Sequence, residues 1–216
     1  MGFFGIVCSV VSSCISAVST AVSTIGSALV TGATKLLELA GDKLNEVVKI
    51  IDMVGKLVGA IGLTDNIDEL GAKALVSDKK PEDFDSISEY IDHLRDNISL
   101  DKEKFDKADN KDKMARKAVG ATIVTKGIEE KLNSHIPTDF WIEVTKQNMK
   151  SNEIKATIEA FKENKIDNNF SSYMNGKLDF KDEQKTSNIL IDMYKKLEPQ
   201  MSVEEIEDKI MKMENR

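Results

Sequence analysis

The 216-residue chain predicts an all-α fold, an N-terminal apolar helical hairpin joined to an acidic multi-helix domain. Apolar residues recur every three or four positions through most of the chain, the spacing of an amphipathic helix. No stretch alternates in the strand manner, and the Asn-Gly hairpin signal occurs once, at Asn175-Gly176. Two capping boxes, Ser86 with Glu89 and Ser202 with Glu205, stand directly before apolar-periodic runs.

Composition narrows the function classes. Lys plus Arg is 30 against Asp plus Glu 37, a net charge of −7. A dedicated nucleic-acid binder needs surplus cations to displace counterions from phosphates, so no nucleic-acid partner is expected. Two cysteines and two histidines are too few for a disulfide framework or a His/Cys zinc cluster. The charge is unevenly placed. Residues 1–34 carry none, and residues 35–63 balance Lys35, Lys43, Lys49 and Lys56 against Glu38, Asp42, Glu46 and Asp52. All of the −7 therefore lies beyond Leu63, which sets an expected domain boundary at Leu63-Thr64: residues 1–63, then residues 64–216.

In the uncharged region Phe4, Val7, Val11, Ile15, Val18, Val22, Ile25 and Leu29 form one helical stripe, with Phe3 at its start. The opposite stripe is all hydroxyl: Ser9, Ser13, Ser16, Thr20, Ser23, Ser27 and Thr31. β-branched residues lower helix propensity, so this helix needs a packing surface. Gly32 is the expected break before a second run, through Leu36, Leu39 or Ala40, Leu44, Val47 or Val48, Ile51, Val54, Val58 and Ile61. Gly55, Gly59 and Gly62 make a ridge of small residues in its last turns, which lets another helix come close. Val47 to Leu63 (VVKIIDMVGKLVGAIGL) resembles the short amphipathic peptides that many bacteria secrete to act on membranes. Cys8 and Cys14 lie on different faces of one helix, so both are read as reduced.

Nothing basic precedes the apolar stretch, so no classical signal peptide is expected. Residues 3–30 are long enough to span a bilayer core and uncharged, but they hold nine Ser or Thr residues. The second run, with Lys49, Asp52 and Lys56, has the character of an interfacial helix.

Beyond Thr64 the chain reads as a string of helices. The first marked one follows Ser86, with Ile87, Tyr90, Ile91, Leu94 and Ile98 as its stripe. Residues 101–117 are dense in charge and read as a solvated helix end or linker. A longer helix from about Asp112 to Leu132 carries Gly120 and Gly127 on one face, where a neighbour can approach closely. Pro137 stops it, and Thr138 and Ser151 are the expected caps of the next two helices. Residues 164–180 read as a loop pinned by Phe170, Tyr173, Leu178 and Phe180, followed by helices over 182–197 and 203–214.

Catalytic constellations do not rise above background. GxGxxG, GxxxxGK[ST] and HExxH do not occur, and His93 and His135 have no cysteine or second histidine nearby in sequence. The SxxK matches at Ser77 and Ser99 lack their partner motifs. No catalytic, cofactor-binding or metal-ligating residue is assigned, and an enzyme is the least supported class. Ser202 to Lys212 (SVEEIEDKIMK) resembles the glutamate-rich translocation signals of type IV effectors of intracellular bacterial pathogens. The same glutamates are also what the dipole of a capped terminal helix favours.

The expected function is a non-enzymatic, membrane-acting or membrane-anchored protein, of the bacterial secreted-effector or pore-forming class. Its expected contact residues are Phe3, Phe4, Val7, Val11, Ile15, Val18, Val22, Ile25, Leu29, Ile51, Val54, Val58 and Ile61, meeting membrane lipid or a protein partner. It is expected to be oligomeric, and membrane-associated or exported by a non-classical route, otherwise cytoplasmic. The alternative is a soluble helical adaptor or structural subunit, self-associating through residues 1–63.

Overall fold

The computed structural model describes residues 14–16, 18, 26–39 and 41–213, and among them every regular element is a helix. In chain order these are α1 (Ser27–Leu37), α2 (Asp42–Leu57), α3 (Ile67–Val76), α4 (Ile87–Asn97), α5 (Lys102–Lys107) and α6 (Asn110–Leu132). They continue with α7 (Thr138–Lys146), α8 (Ser151–Glu163), α9 (Phe170–Met174), α10 (Phe180–Leu197) and α11 (Val203–Met213). Residues 14–16 and 18 are helical as well. The chain divides into two compact units, Met1–Lys131 and Leu132–Arg216. The charge boundary at Leu63-Thr64 falls within the first of these.

The first unit is built around α6. All eight residues from Ala118 to Thr125 are buried, so this stretch is enclosed on every side rather than along one stripe. Small residues make that possible. Gly71 of α3 lies against the backbone of α6 at Arg116, and Gly120 of α6 lies against the backbone of α3 at Ile67. On α1, a methyl at Gly32 would stand 2.5 Å from Cγ2 of Thr122, and on α2 one at Gly55 would stand 2.6 Å from Cγ1 of Val124. Gly127 meets Ala60 and Ile91. Gly32 is thus a contact in the middle of α1 and not the break expected of it: the close approach of Thr122 needs the missing side chain, and the helix runs through. The interruption comes after Leu37, ahead of Gly41 with its φ of 61°.

Polar contacts fix the order of these helices. Asn66 caps α3, its side chain accepting from the amides of Asp68 (2.8 Å) and Glu69 (3.3 Å). Arg116 is buried in α6 and donates to Asp68 of α3 at 2.9 and 3.3 Å and to the Phe105 carbonyl at 2.9 Å. Its guanidinium stacks 3.8 Å from the Phe105 ring centroid. The charge-dense stretch read as solvated therefore contains a buried anchor. Ser86 caps α4 as expected, but Glu89 reaches back to the amide of Asp85, one residue earlier than the box predicts. The α4 N-terminus receives a second acceptor from α6, where the Glu130 carboxylate takes the amides of Ile87 (2.7 Å) and Ser88 (3.3 Å).

The second unit packs α8 and α11 on α10, and α9 on α7, around a core rich in aromatics. Phe140 meets Trp141 edge-on, ring centroids 5.6 Å apart, and Phe170 at 6.0 Å. Pro137 and Lys150 occupy the cap positions expected of Thr138 and Ser151, each one residue earlier. The region read as a loop contains α9, because Phe170, Tyr173 and Met174 are all buried. Ser202 and Glu205 form the full reciprocal box, at 2.8 and 3.2 Å.

Candidate membrane- or partner-contacting surface

The expected contact surface is the apolar stripe of residues 1–63. Phe3, Phe4, Val7, Val11, Val22 and Ile25 lie outside the described residues. Of the others, Val18, Leu29, Ile51, Val54 and Ile61 are buried, while Ile15 and Val58 are half-buried. The first unit covers them. Leu29 belongs to α1, which approaches α6 through Gly32; Ile51 and Val54 belong to α2, which approaches α6 through Gly55. Cys14 is buried beside Val18, its thiol donating to the Lys111 carbonyl at 3.6 Å, and burial raises its pKa.

The end of α2 is shaped by backbone chemistry. Gly59 takes a φ of 69°, and the amide of Ala60 returns to the Gly55 carbonyl at 2.8 Å, a helix C-terminus closed by a left-handed glycine. The reversal swings Ile61 under Gly55 and leads to Asp65, which accepts from the Gly62 amide at 2.7 Å and from Arg95 at 2.7 and 3.0 Å. Burial pushes the Asp65 carboxyl up, but Arg95 and the Gly62 amide outweigh it and hold it below the usual carboxylate range.

The outer edge of α2 is different. Met53 is 37% exposed, Leu57 49% and Leu63, in the turn beyond, 82%. Lys49 is exposed beside them, and Lys56 is held by Asp52 at 2.9 Å. None of the three apolar residues is in the expected stripe. The signal was present in sequence as a second row, Ile50, Met53 and Leu57 at i, i+3 and i+7, next to the more strongly apolar row.

Other chemistry is sparse. A polar cavity of about 480 Å³ in the second unit is lined by Ser134, His135, Asp139, Asp167, Asn168 and Lys177 among others. Its buried amide is a loop clamp: Asn168 Nδ2 donates to Ser134 Oγ at 3.0 Å and to the His135 carbonyl. His93 pairs with Asn97 at 3.1 Å and packs on the Phe84 ring. Among the described residues no group of His, Cys, Asp or Glu is placed to hold a metal ion, and no helix is long and apolar enough to cross a membrane. No family model, curated protein or solved structure matches the chain.

Proposed function

We propose that this is a membrane-acting helical protein of the effector or pore-forming class, with residues 1–63 as the membrane element, whose described apolar residues Val18, Leu29, Ile51, Val54 and Ile61 are held covered in the resting fold. The observation that carries this reading is the charge-free run of residues 1–34 leading into helices whose apolar face is buried in the first unit. A segment that stays in water gains nothing from having no charge over such a length. One that exchanges protein cover for lipid gains a great deal, because an ionised side chain in hydrocarbon costs several kcal/mol. Gly32 and Gly55 bring α1 and α2 against Thr122 and Val124 of α6, and lipid then replaces these contacts of α6. The adaptor alternative requires the same uncovering. A protein interface tolerates charge at its rim, so it explains the charge-free run less well.

The C-terminal glutamates support a translocation role only in part. Glu205 accepts the Ser202 amide and so has a structural task, while Glu204 and Glu207 are exposed.

Limited trypsin digestion of the full chain with and without phospholipid vesicles tests the reading. Lys35, Lys43, Lys49 and Lys56 become protected when residues 1–63 enter lipid, while lysines of the second unit stay accessible. An unchanged digestion pattern in the presence of vesicles overturns it.

A further inference from the structure

We propose that the outer edge of α2, Met53 and Leu57 together with Leu63, is a docking face for an anionic lipid surface, engaged while the neighbouring stripe of α2 is still buried. The inference rests on the membrane reading above and names the first contact. Among the described residues of the first unit, the exposed large apolar side chains are Met53, Leu57, Leu63 and Val76, and three of these four fall between positions 53 and 63.

Their setting selects the partner. Helical spacing places Lys49 and Lys56 beside Met53, at i−4 and i+3, so an apolar row runs next to a row of ammonium groups. That is the composition of a helix lying in a membrane interface, with lysine stems on the apolar surface and their heads among phosphates. Lys56 is paired with Asp52 at 2.9 Å, so that pair adds no net charge and Lys49 is the cation that gives the edge its sign; Glu46 lies at the far, N-terminal end of the row. The C-terminal half of α2 therefore docks and its first turn stays in water.

The other exposed apolar cluster has the opposite sign. Phe180, 79% exposed, and Met211 border a groove of about 400 Å³ whose described lining includes Glu183 and Glu207 and no Lys or Arg. In a chain of net charge −7, an anionic surface repels that groove and admits the α2 edge.

Flotation of the full chain with phosphatidylcholine vesicles, and with vesicles of phosphatidylcholine and phosphatidylglycerol, tests the proposal. The chain is expected to float with the anionic vesicles and much less with the neutral ones. Met53→Glu with Leu57→Glu lowers the bound fraction at least about tenfold, since losing the burial of either side chain is worth a factor of that order. Met53 and Leu57 keep about half or more of their surface covered, so this variant melts below the parent, whereas Leu63→Glu, at a side chain 82% exposed, lowers flotation with the melt unchanged. Lys49→Gln reduces the preference for anionic over neutral lipid.

If the double variant floats as the parent does, the docking face is elsewhere; the proposal falls and the membrane reading stands. If the parent floats with neither vesicle, both fall. Equal flotation on both vesicles overturns the anionic selection. A lipid-free oligomer that the double variant dissolves, with flotation unchanged, gives the edge to a second copy and likewise overturns the proposal.

Discussion

Gly71 of α3 and Gly120 of α6 face each other where the two helices cross. A methyl placed on Gly71 would stand 2.8 Å from the amide nitrogen of Gly120, and one on Gly120 would stand 3.0 Å from that of Gly71. Each would overlap the carbonyl of the opposite helix, of Arg116 in one case and Ile67 in the other. The pair is reciprocal, so the two backbones touch without any side chain between them. No rotamer change relieves such an overlap, so the helices must separate. Gly71→Ala or Gly120→Ala is expected to lower stability by about 2 kcal/mol or more, an overpacking cost that exceeds the helix-propensity gain of alanine. Urea denaturation of the two variants measures it.

Arg116 and Asp68 make the second crossing contact of the same helices, at 2.9 Å. The guanidinium is more deeply buried than the carboxylate, so removing either partner has unequal effects. Asp68→Asn strands a buried cation and is expected to cost about 3 kcal/mol. Arg116→Met keeps the stem that packs on Phe105 and leaves a carboxylate that water can reach, so it costs less, about 1 to 2 kcal/mol. Urea midpoints of the two variants give the order, and a larger loss for Arg116→Met contradicts it.

Acid weakens both units through carboxylates held low. At Glu153, burial pushes the carboxyl up, but Lys209 at 2.7 Å and the Lys150 amide at 2.7 Å outweigh it and depress the pKa. Asp65 in the first unit is depressed in the same way, by Arg95 and the Gly62 amide. A folded pKa below the unfolded one means the unfolded chain binds more protons. The stabilisation is complete above the ordinary carboxylate range, about pH 5, and is lost as pH falls through the lower folded values. The urea midpoint is expected to hold between neutrality and about pH 5 and to fall below about pH 4. Glu153→Gln lowers the midpoint at pH 7 and flattens that fall.

Glu130 caps a helix that is not its own. Burial raises its carboxyl, but the Ser88 hydroxyl and the amides of Ile87 and Ser88 together hold it low. Glu130→Ala leaves the α4 N-terminus with Ser86 alone and is expected to cost about 1 kcal/mol, the usual value of a lost cap. Hydrogen exchange locates the effect: the amides of Ile87 and Ser88 lose protection, while those of α10 do not.

Helix periodicity and capping chemistry are local, and they were legible in the residues alone. The all-helical fold, the cap at Ser86, the box at Ser202 and the helix ending at Leu132 all follow from contacts within a few positions. The charge-free run of residues 1–34 is likewise a property of the chain itself. That Leu44, Ile51 and Val54 form the main apolar row of α2 was legible too, but which surface covers that row was not decided locally. Packing decided it: Gly55 lets α2 approach Val124 of α6, which encloses Ile51 and Val54 and turns Met53 and Leu57 outward. The same reason explains Gly32, a break by propensity but a contact point once Thr122 lies against it. Charge records which residues can leave water, whereas the limits of a unit depend on which surfaces fit together, and here α1 and α2 fit the small residues of α6.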